Sequence, residues 1–230
     1  MTDALAAIAL TIGVLALFGV SMFVIDLFAK SGLWWARPLV ETYAPVVYTV
    51  VLVAAMGVFI AIGRLDPLAV LRVHNPLWLL ITLLAAPLIA LIWYIVELAV
   101  ASAQVRAAGL LESGAARSAT SDLITRPGLW WALAVACAVA EELIFRGMLQ
   151  HAVVAQWGAV AAIALGALLF GLHHISFGVP SIVSKSVGGA LMGLQALLAG
   201  SVIPAVLTHL LFQGLVFRRL RRKAVVAHAV

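Results

Sequence analysis

The sequence predicts an all-α fold, a polytopic bundle of about seven or eight transmembrane helices. Two features of composition and one of pattern support this prediction. Of the 230 residues, 65% are hydrophobic and only 10% are charged, whereas soluble domains are about half apolar and about a quarter charged. The apolar residues are also gathered into runs of about 20, the length of a helix that crosses the hydrocarbon core of a bilayer.

Three of these runs occupy residues 1–100, and a polar connecting segment, 101–127, follows them. The first run has no basic stretch before it and no small-residue cleavage site after it, so we expect a retained helix and not a cleaved signal peptide. The polar segment is the longest stretch that cannot span, and an amphipathic helix on the membrane surface would suit parts of it. The three runs cover about 4–28, 44–62 and 76–100.

Four further runs occupy residues 128–217, which we treat as one unit of core helices. Only Ala199, Gly200 and Ser201 separate the last two runs, so these are expected to form an antiparallel pair. A basic tail, 218–230, follows the unit. The four runs cover about 128–150, 153–173, 180–198 and 202–217.

The basic tail predicts the orientation of the chain. Its five basic residues directly follow the last run, and positive residues are enriched on the cytoplasmic side of membrane proteins. We therefore expect a cytoplasmic C-terminus, with contacts to anionic lipid headgroups and not to nucleic acid, despite the net charge of +5. Many alanines, and arginine in preference to lysine, are typical of a prokaryotic protein, which predicts an integral protein of the prokaryotic plasma membrane. The basic residues are Arg218, Arg219, Arg221, Arg222 and Lys223.

Ionisable side chains inside the apolar runs are the strongest functional signal, because a charge at the bilayer centre costs at least ~2.5–3.5 kcal/mol. Glu141 and Glu142 lie about a dozen residues into the fourth run. Glu142 and Arg146 are four residues apart and share a helix face, which predicts an ion pair. Glu141 points about 100° away from Glu142 around the helix axis and is therefore free of this ion pair and available for catalysis. The other charges of the runs lie near helix ends, where we expect them to be solvated: Asp26, Glu97 and Lys185.

Histidines occur on two of the remaining core runs. His173 and His174 lie at the end of the fifth run, and His209 lies midway along the seventh. Gln213 is four residues after His209 and therefore on the same helix face. A single buried histidine is usually a packing residue, but histidines on two helices with paired glutamates on a third predict one convergent site.

Three motifs carry a resemblance to a known family. They are Glu141-Glu142-Leu-Ile-Phe-Arg146, Phe170-Gly-Leu-His-His174 and His209-Leu-Leu-Phe-Gln213. They resemble the E-E-x-x-x-R, F-x-x-x-H and H-x-x-x-N/D motifs of the CAAX protease and bacteriocin-processing (CPBP, Abi-type) family of intramembrane endopeptidases. The resemblance covers about 128–217, which would be the catalytic core. The chain departs from the pattern at its last position, where glutamine replaces asparagine or aspartate.

The resemblance implies a hydrolase, a glutamate-dependent intramembrane endopeptidase that activates water. It implies that Glu141 is the general base, aided by His174, and that His209 and Gln213 donate hydrogen bonds to the developing oxyanion. The glutamate–arginine ion pair would support them, and its glutamate could itself be catalytic. The residues that the resemblance places in the site are therefore Glu141, Glu142, Arg146, His174, His209 and Gln213.

The cofactor and the substrate stay open at this stage. Family members are often described as metalloproteases, and a zinc ion held by Glu141, His174 and His209 is one alternative. A metal-free glutamate mechanism is the other, since the H-E-x-x-H signature of zinc proteases is absent. The implied substrates are prenylated C-terminal CAAX-type peptides, or leader and membrane peptides, that enter the site from the membrane.

Two functions of other classes remain as alternatives. The first is a non-proteolytic immunity or scaffold protein of the same fold. The glutamine at position 213, which departs from the family motif, is compatible with this alternative. The second is a proton-coupled transporter that uses the same acid–histidine cluster. Many transporters contain inverted repeats, and no repeat is visible in this sequence.

Overall fold

The computed structural model describes residues 2–29, 36–108 and 125–227, and within these residues every extended element is helical and no strand occurs. The all-α prediction is therefore confirmed. We number the α-helices in chain order: α1 Thr2–Ala29, α2 Ala36–Ala61, α3 Pro67–Leu71, α4 Pro76–Ala108, α5 Pro127–Glu142, α6 His151–Leu172, α7 Val179–Ala199 and α8 Ile203–Ala227. A π-helical segment, Leu143–Gln150, joins α5 to α6, and a short 3-10 helix, Ile175–Phe177, precedes α7.

Five segments of the described chain are long and apolar enough to cross a membrane, so the chain is an integral membrane protein, as predicted. The predicted fourth and fifth runs lie in one continuous segment of 46 residues. The predicted seventh run lies in α8, which continues past position 217 into the basic tail. Most of the predicted connecting segment falls at 109–124, outside the described residues. The five segments are Asp3–Val24, Tyr43–Ala61, Pro76–Ser102, Pro127–Leu172 and Val179–Ala199.

The 46-residue segment folds back on itself at Gly158. This glycine has φ 80° and ψ 175°, a backbone conformation that is nearly restricted to glycine. The rings of Phe145 and Phe170 lie 5.3 Å apart, whereas a straight helix would separate these residues by about 37 Å. The chain therefore forms two antiparallel arms, as the two predicted runs require.

The reversal comes later than the sequence analysis placed it. The two apolar runs were predicted at about 128–150 and 153–173, which puts the break between positions 150 and 153. Gln150 is instead buried, and its Nε2 donates to the carbonyl oxygen of Gly193 on α7 at 2.8 Å. The polar side chain therefore joins two helices inside the bundle, and helix geometry continues to Gly158.

Helix α7 lies against α4, α6 and α8 at the centre of the bundle. Glycines allow this packing. A Cβ atom on Gly188 would lie 2.2 Å from the indole of Trp93 on α4, and one on Gly189 would lie 3.0 Å from the Cα of Ala167 on α6. Close approach at small residues is the usual way in which helices associate in membranes. It brings the polar side chains of α5, α6 and α8 around one centre.

The expectation that Glu97 and Lys185 are solvated is wrong. Helix α4 continues well past Glu97, so this residue does not lie at a helix end. Lys185 on α7 places Nζ 3.3 Å from Glu97 Oε2, and the two side chains are only 12% and 25% exposed. The hydroxyl of Ser184 donates to the same carboxylate oxygen. The side chain of Asp26 lies outside the described residues.

We expect Lys185→Met to destabilise the protein by about 1–3 kcal/mol, because it leaves the Glu97 carboxylate largely buried without its cation. Thermal unfolding in detergent micelles measures this cost. The double variant Glu97→Gln/Lys185→Met should recover part of it. Arg64→Gln is the matched control, since it breaks an exposed pair with Asp3, which is worth less than about 1 kcal/mol. Equal losses in both single variants would contradict the prediction.

Candidate active site

The paired glutamates lie at the end of α5, where the chain passes into the π-helical segment Leu143–Gln150. Glu141 is 2% exposed and Glu142 is fully buried. Irregular helical turns of this kind are common at functional sites, because they change the direction of neighbouring side chains. The two carboxylates contact different partners and form two parts of one centre.

Glu142 belongs to a buried ion-pair network. Its carboxylate lies 3.0–3.1 Å from Nη1 of Arg146, the predicted partner one turn later. Arg146 Nη2 donates to the carbonyl oxygen of Gly189 at 3.0 Å. His209 on α8 places Nδ1 2.9 Å from Glu142 Oε1. Glu142 and Arg146 therefore tie α5 and the π-helical segment to α7 and α8, and they hold the ring of His209 in place.

Glu141 has two unlike carboxylate oxygens. Oε1 accepts a hydrogen bond from the hydroxyl of Tyr48 and lies 3.6 Å from Nε2 of His173. Oε2 faces Nε2 of His209 at 3.7 Å, beyond hydrogen-bond distance. No described residue forms a hydrogen bond with Oε2. One oxygen is therefore held by the protein, and the other is left to a reactant.

His174 lies beside this centre and not in direct contact with it. Its ring is half-buried, and Nδ1 lies 2.9 Å from the carbonyl oxygen of Phe170. A carbonyl only accepts, so Nδ1 carries the hydrogen and Nε2 of the neutral ring keeps a lone pair. Within the described structure His174 forms no hydrogen bond or ion pair with Glu141. Of the two adjacent histidines, the one that lies against Glu141 is His173, with Nε2 3.6 Å from Oε1.

Gln213 follows His209 by one turn of α8 and is half-buried. No hydrogen bond joins its amide to any described residue. An amide N–H at this place is therefore available to a bound molecule. The glutamine that replaces asparagine or aspartate thus keeps a donor on the same helix face as His209.

Tyr48 is the residue that the sequence analysis missed. It lies on α2, in the N-terminal part of the chain, which matches the family pattern only as generic spans. The sequence gives one indication of its role. Tyr48 lies in the middle of an apolar run, and the hydroxyl of a buried tyrosine usually has a hydrogen-bond partner. That signal cannot identify the partner, which lies 93 positions away in the sequence.

The donors do not form a metal site in their present arrangement. Among the described residues, no three histidine, cysteine, aspartate or glutamate side chains are grouped so that they could hold an ion. His174 does not reach Glu141, and Nδ1 of His209 is already engaged by Glu142. The zinc alternative with Glu141, His174 and His209 stays a prediction, and we derive no step through a metal.

A buried centre of carboxylates and imidazoles lies inside a bundle of helices that are apolar enough to span a membrane, and these features define an integral membrane protein with ionisable groups in its core. Residues 124–215 match the family model described as Type II CAAX prenyl endopeptidase Rce1-like. The match agrees with the resemblance carried by the three motifs, and it supports a CAAX-type intramembrane protease at the family level. No curated protein matches the chain, and no solved structure does. Helix α2, which carries Tyr48, lies outside the matched residues.

Proposed function

We propose that this protein is an intramembrane endopeptidase in which Glu141 activates a water molecule to hydrolyse a peptide bond. The single observation that carries the proposal is the asymmetry of the Glu141 carboxylate. The protein holds Oε1, while Oε2 is left facing His209 at 3.7 Å within a buried site. A general base needs an available lone pair at a fixed position, and Oε2 supplies it.

The charges of the centre support a role for His209 as a donor. Among the described residues, one guanidinium, that of Arg146, lies beside the carboxylates of Glu141 and Glu142, and an unbalanced charge in apolar surroundings is costly. The proposed mechanism therefore uses His209 with a hydrogen on both ring nitrogens, which restores neutrality. Its Nδ1–H then donates to Glu142, and its Nε2–H points to the space beside Glu141. We assign this Nε2–H to the oxyanion that forms on the substrate carbonyl.

The proposed reaction uses one proton transfer in each direction. Glu141 Oε2 takes a proton from water while the water oxygen attacks the scissile carbonyl carbon. The oxyanion receives hydrogen bonds from His209 and from the Gln213 amide. The C–N bond then breaks as Glu141 returns the proton to the leaving nitrogen. The Nε2 lone pair of His174 aids the first step, in which the water loses its proton. The products are a new carboxylic acid, which releases its proton to solvent, and an amine.

The proposed substrates are prenylated C-terminal CAAX-type peptides, or leader and membrane peptides. Two features support entry from the membrane. The carboxylates lie within segments that are apolar enough to span, and the family match is to a CAAX prenyl endopeptidase. We further propose the prokaryotic plasma membrane as the location, with the basic end of α8 in the cytoplasm.

The experiment uses the purified full-length chain in liposomes with three labelled peptides: a farnesylated CAAX peptide, the same peptide without the lipid, and a leader-type peptide. Cleavage of at least one, located by mass spectrometry, is the expected result. A proton flux without cleavage would overturn the proposal in favour of a transporter. Binding with neither cleavage nor flux would overturn it in favour of a scaffold protein.

We expect cleavage to persist after treatment with EDTA or 1,10-phenanthroline. In the proposed mechanism the positive charge of the site comes from His209 and Arg146 and not from a metal ion. The rate should remain within about twofold of the untreated protein, far from the loss expected when a catalytic metal is removed. A known zinc protease in the same detergent serves as the control for chelation. Activity that is lost to the chelator and restored by zinc would contradict this prediction.

A further inference from the structure

A residue of the N-terminal helices touches the proposed base. Tyr48 on α2 donates its hydroxyl hydrogen to Glu141 Oε1 and lies 2.7 Å from Nε2 of His173. Its ring packs edge-on against Phe18 of α1, with centroids 4.7 Å apart. Phe18 also lies 4.8 Å from the ring of His173. Helices α1 and α2 therefore contact the site directly and do not only surround it.

The hydrogens of this contact can be assigned from chemistry. An ionised carboxylate only accepts, so the single hydroxyl hydrogen of Tyr48 is directed to Glu141. The phenol oxygen must then accept from Nε2–H of His173. In the neutral ring this leaves a lone pair on Nδ1, which is buried and has no partner among the described residues. A buried N–H without an acceptor at that place would be costly, which favours the same tautomer.

We infer that Tyr48 is a positioning residue for Glu141, and that His173 acts behind it in a directed chain from His173 through Tyr48 to Glu141. The inference rests on the proposed function of Glu141 as base. By holding Oε1, the hydroxyl stops rotation of the carboxylate and keeps Oε2 directed at His209, 3.7 Å away. Misplacement of a reacting group by about 1 Å can cost a hundredfold in rate.

Packing of α2 does not depend on the hydroxyl of Tyr48. The next residue, Thr49, is buried against α5, with Oγ1 3.0 Å from the sulfur of Cys137. Thr49 Oγ1 also donates to the carbonyl oxygen of Pro45 in its own helix. Removing only the Tyr48 oxygen therefore leaves the α2–α5 contact in place, and a catalytic effect can be separated from a packing effect.

The kinetic test is Tyr48→Phe in the full-length chain in liposomes, with the labelled peptide that the protein cleaves best. The expected result is a kcat lower by about tenfold to a hundredfold with KM nearly unchanged, since the base is misplaced and the substrate contacts remain. Tyr43→Phe is the matched control, because Tyr43 is exposed on the same helix. A kcat equal to that of the control overturns the inference, and so does a fall in melting temperature that accounts for the whole loss.

A second measurement needs no substrate. The chain has three tyrosines, so tyrosine labelled with carbon-13 at Cζ gives three NMR signals, which Tyr→Phe variants assign to Tyr43, Tyr48 and Tyr94. The Tyr48 signal should shift in Glu141→Gln and in His173→Phe, while the other two stay. If the chemical shift of Tyr48 is unchanged in Glu141→Gln, the inference is overturned. If that signal responds but no peptide is cleaved, the contact stands and the proposed protease activity fails.

Discussion

Glu141→Gln should abolish peptide cleavage, with kcat lower by at least about 10³-fold. Glutamine has the same shape and can still accept from the Tyr48 hydroxyl, but its amide cannot take a proton from water at neutral pH. General acid–base groups contribute about 10²–10⁴-fold, and here the same group serves in both proton transfers. Stopped cleavage assays in liposomes, with product detected by mass spectrometry, measure the loss.

Two matched variants make this expectation specific. Glu97→Gln makes the same chemical change at another membrane-embedded glutamate, one that pairs with Lys185 and lies outside the proposed chemistry. It should lower stability and leave kcat within about threefold, because it removes no transition-state contact. Glu141→Asp retains a carboxylate in a displaced position and should keep measurable activity. Full activity in Glu141→Gln would refute the proposed base.

Arg146→Met should be the most destabilising single change in the bundle, at about 3–5 kcal/mol. The substitution keeps much of the apolar length of the side chain, but it removes the guanidinium that lies against Glu142 with both side chains buried. Removing one partner of a buried ion pair leaves an uncompensated charge, and this is the costly case. The result is measured as the unfolding free energy in a denaturant titration in mixed micelles.

A double variant separates the charge from the packing. Glu142→Gln/Arg146→Met contains neither charge and should recover most of the loss, since neutral replacement of a buried pair often costs little. Arg218→Met is the control, because this arginine is exposed on α8 and should change stability by less than about 0.5 kcal/mol. A loss in Arg146→Met no greater than in this control would count against the buried network.

The parts of the site that are local in sequence could be predicted. The pairing of Glu142 with Arg146 follows from their separation of one helical turn, and the structure has this ion pair. The positions of most helices follow from the lengths of the apolar runs, because only a helix satisfies its own backbone groups in lipid. The reversal was predicted between about positions 150 and 153, but it lies at Gly158, because the buried Gln150 bonds to α7 and the helix continues past it.

Contacts between distant helices could not be predicted in the same way. Spacing in the second motif selects His174, yet the ring that contacts Glu141 belongs to His173. Adjacent histidines differ by about 100° around the helix axis, and which of them faces the glutamate depends on the rotation of α6 within the bundle. Hydropathy does not encode that rotation, because lipid-facing and helix-facing surfaces are both apolar in a membrane.

By itself, the sequence determined the membrane-spanning all-α class, the resemblance to a family of intramembrane endopeptidases, and the helices that carry the glutamates and histidines. Apolar length and motif spacing are properties of single segments, and each segment must satisfy its backbone alone in lipid. Only the tertiary structure decided that Tyr48 holds one oxygen of Glu141 and that Lys185 pairs with Glu97. Both contacts join residues that are about ninety positions apart, and the second is formed where Gly188 allows α7 to approach α4 closely.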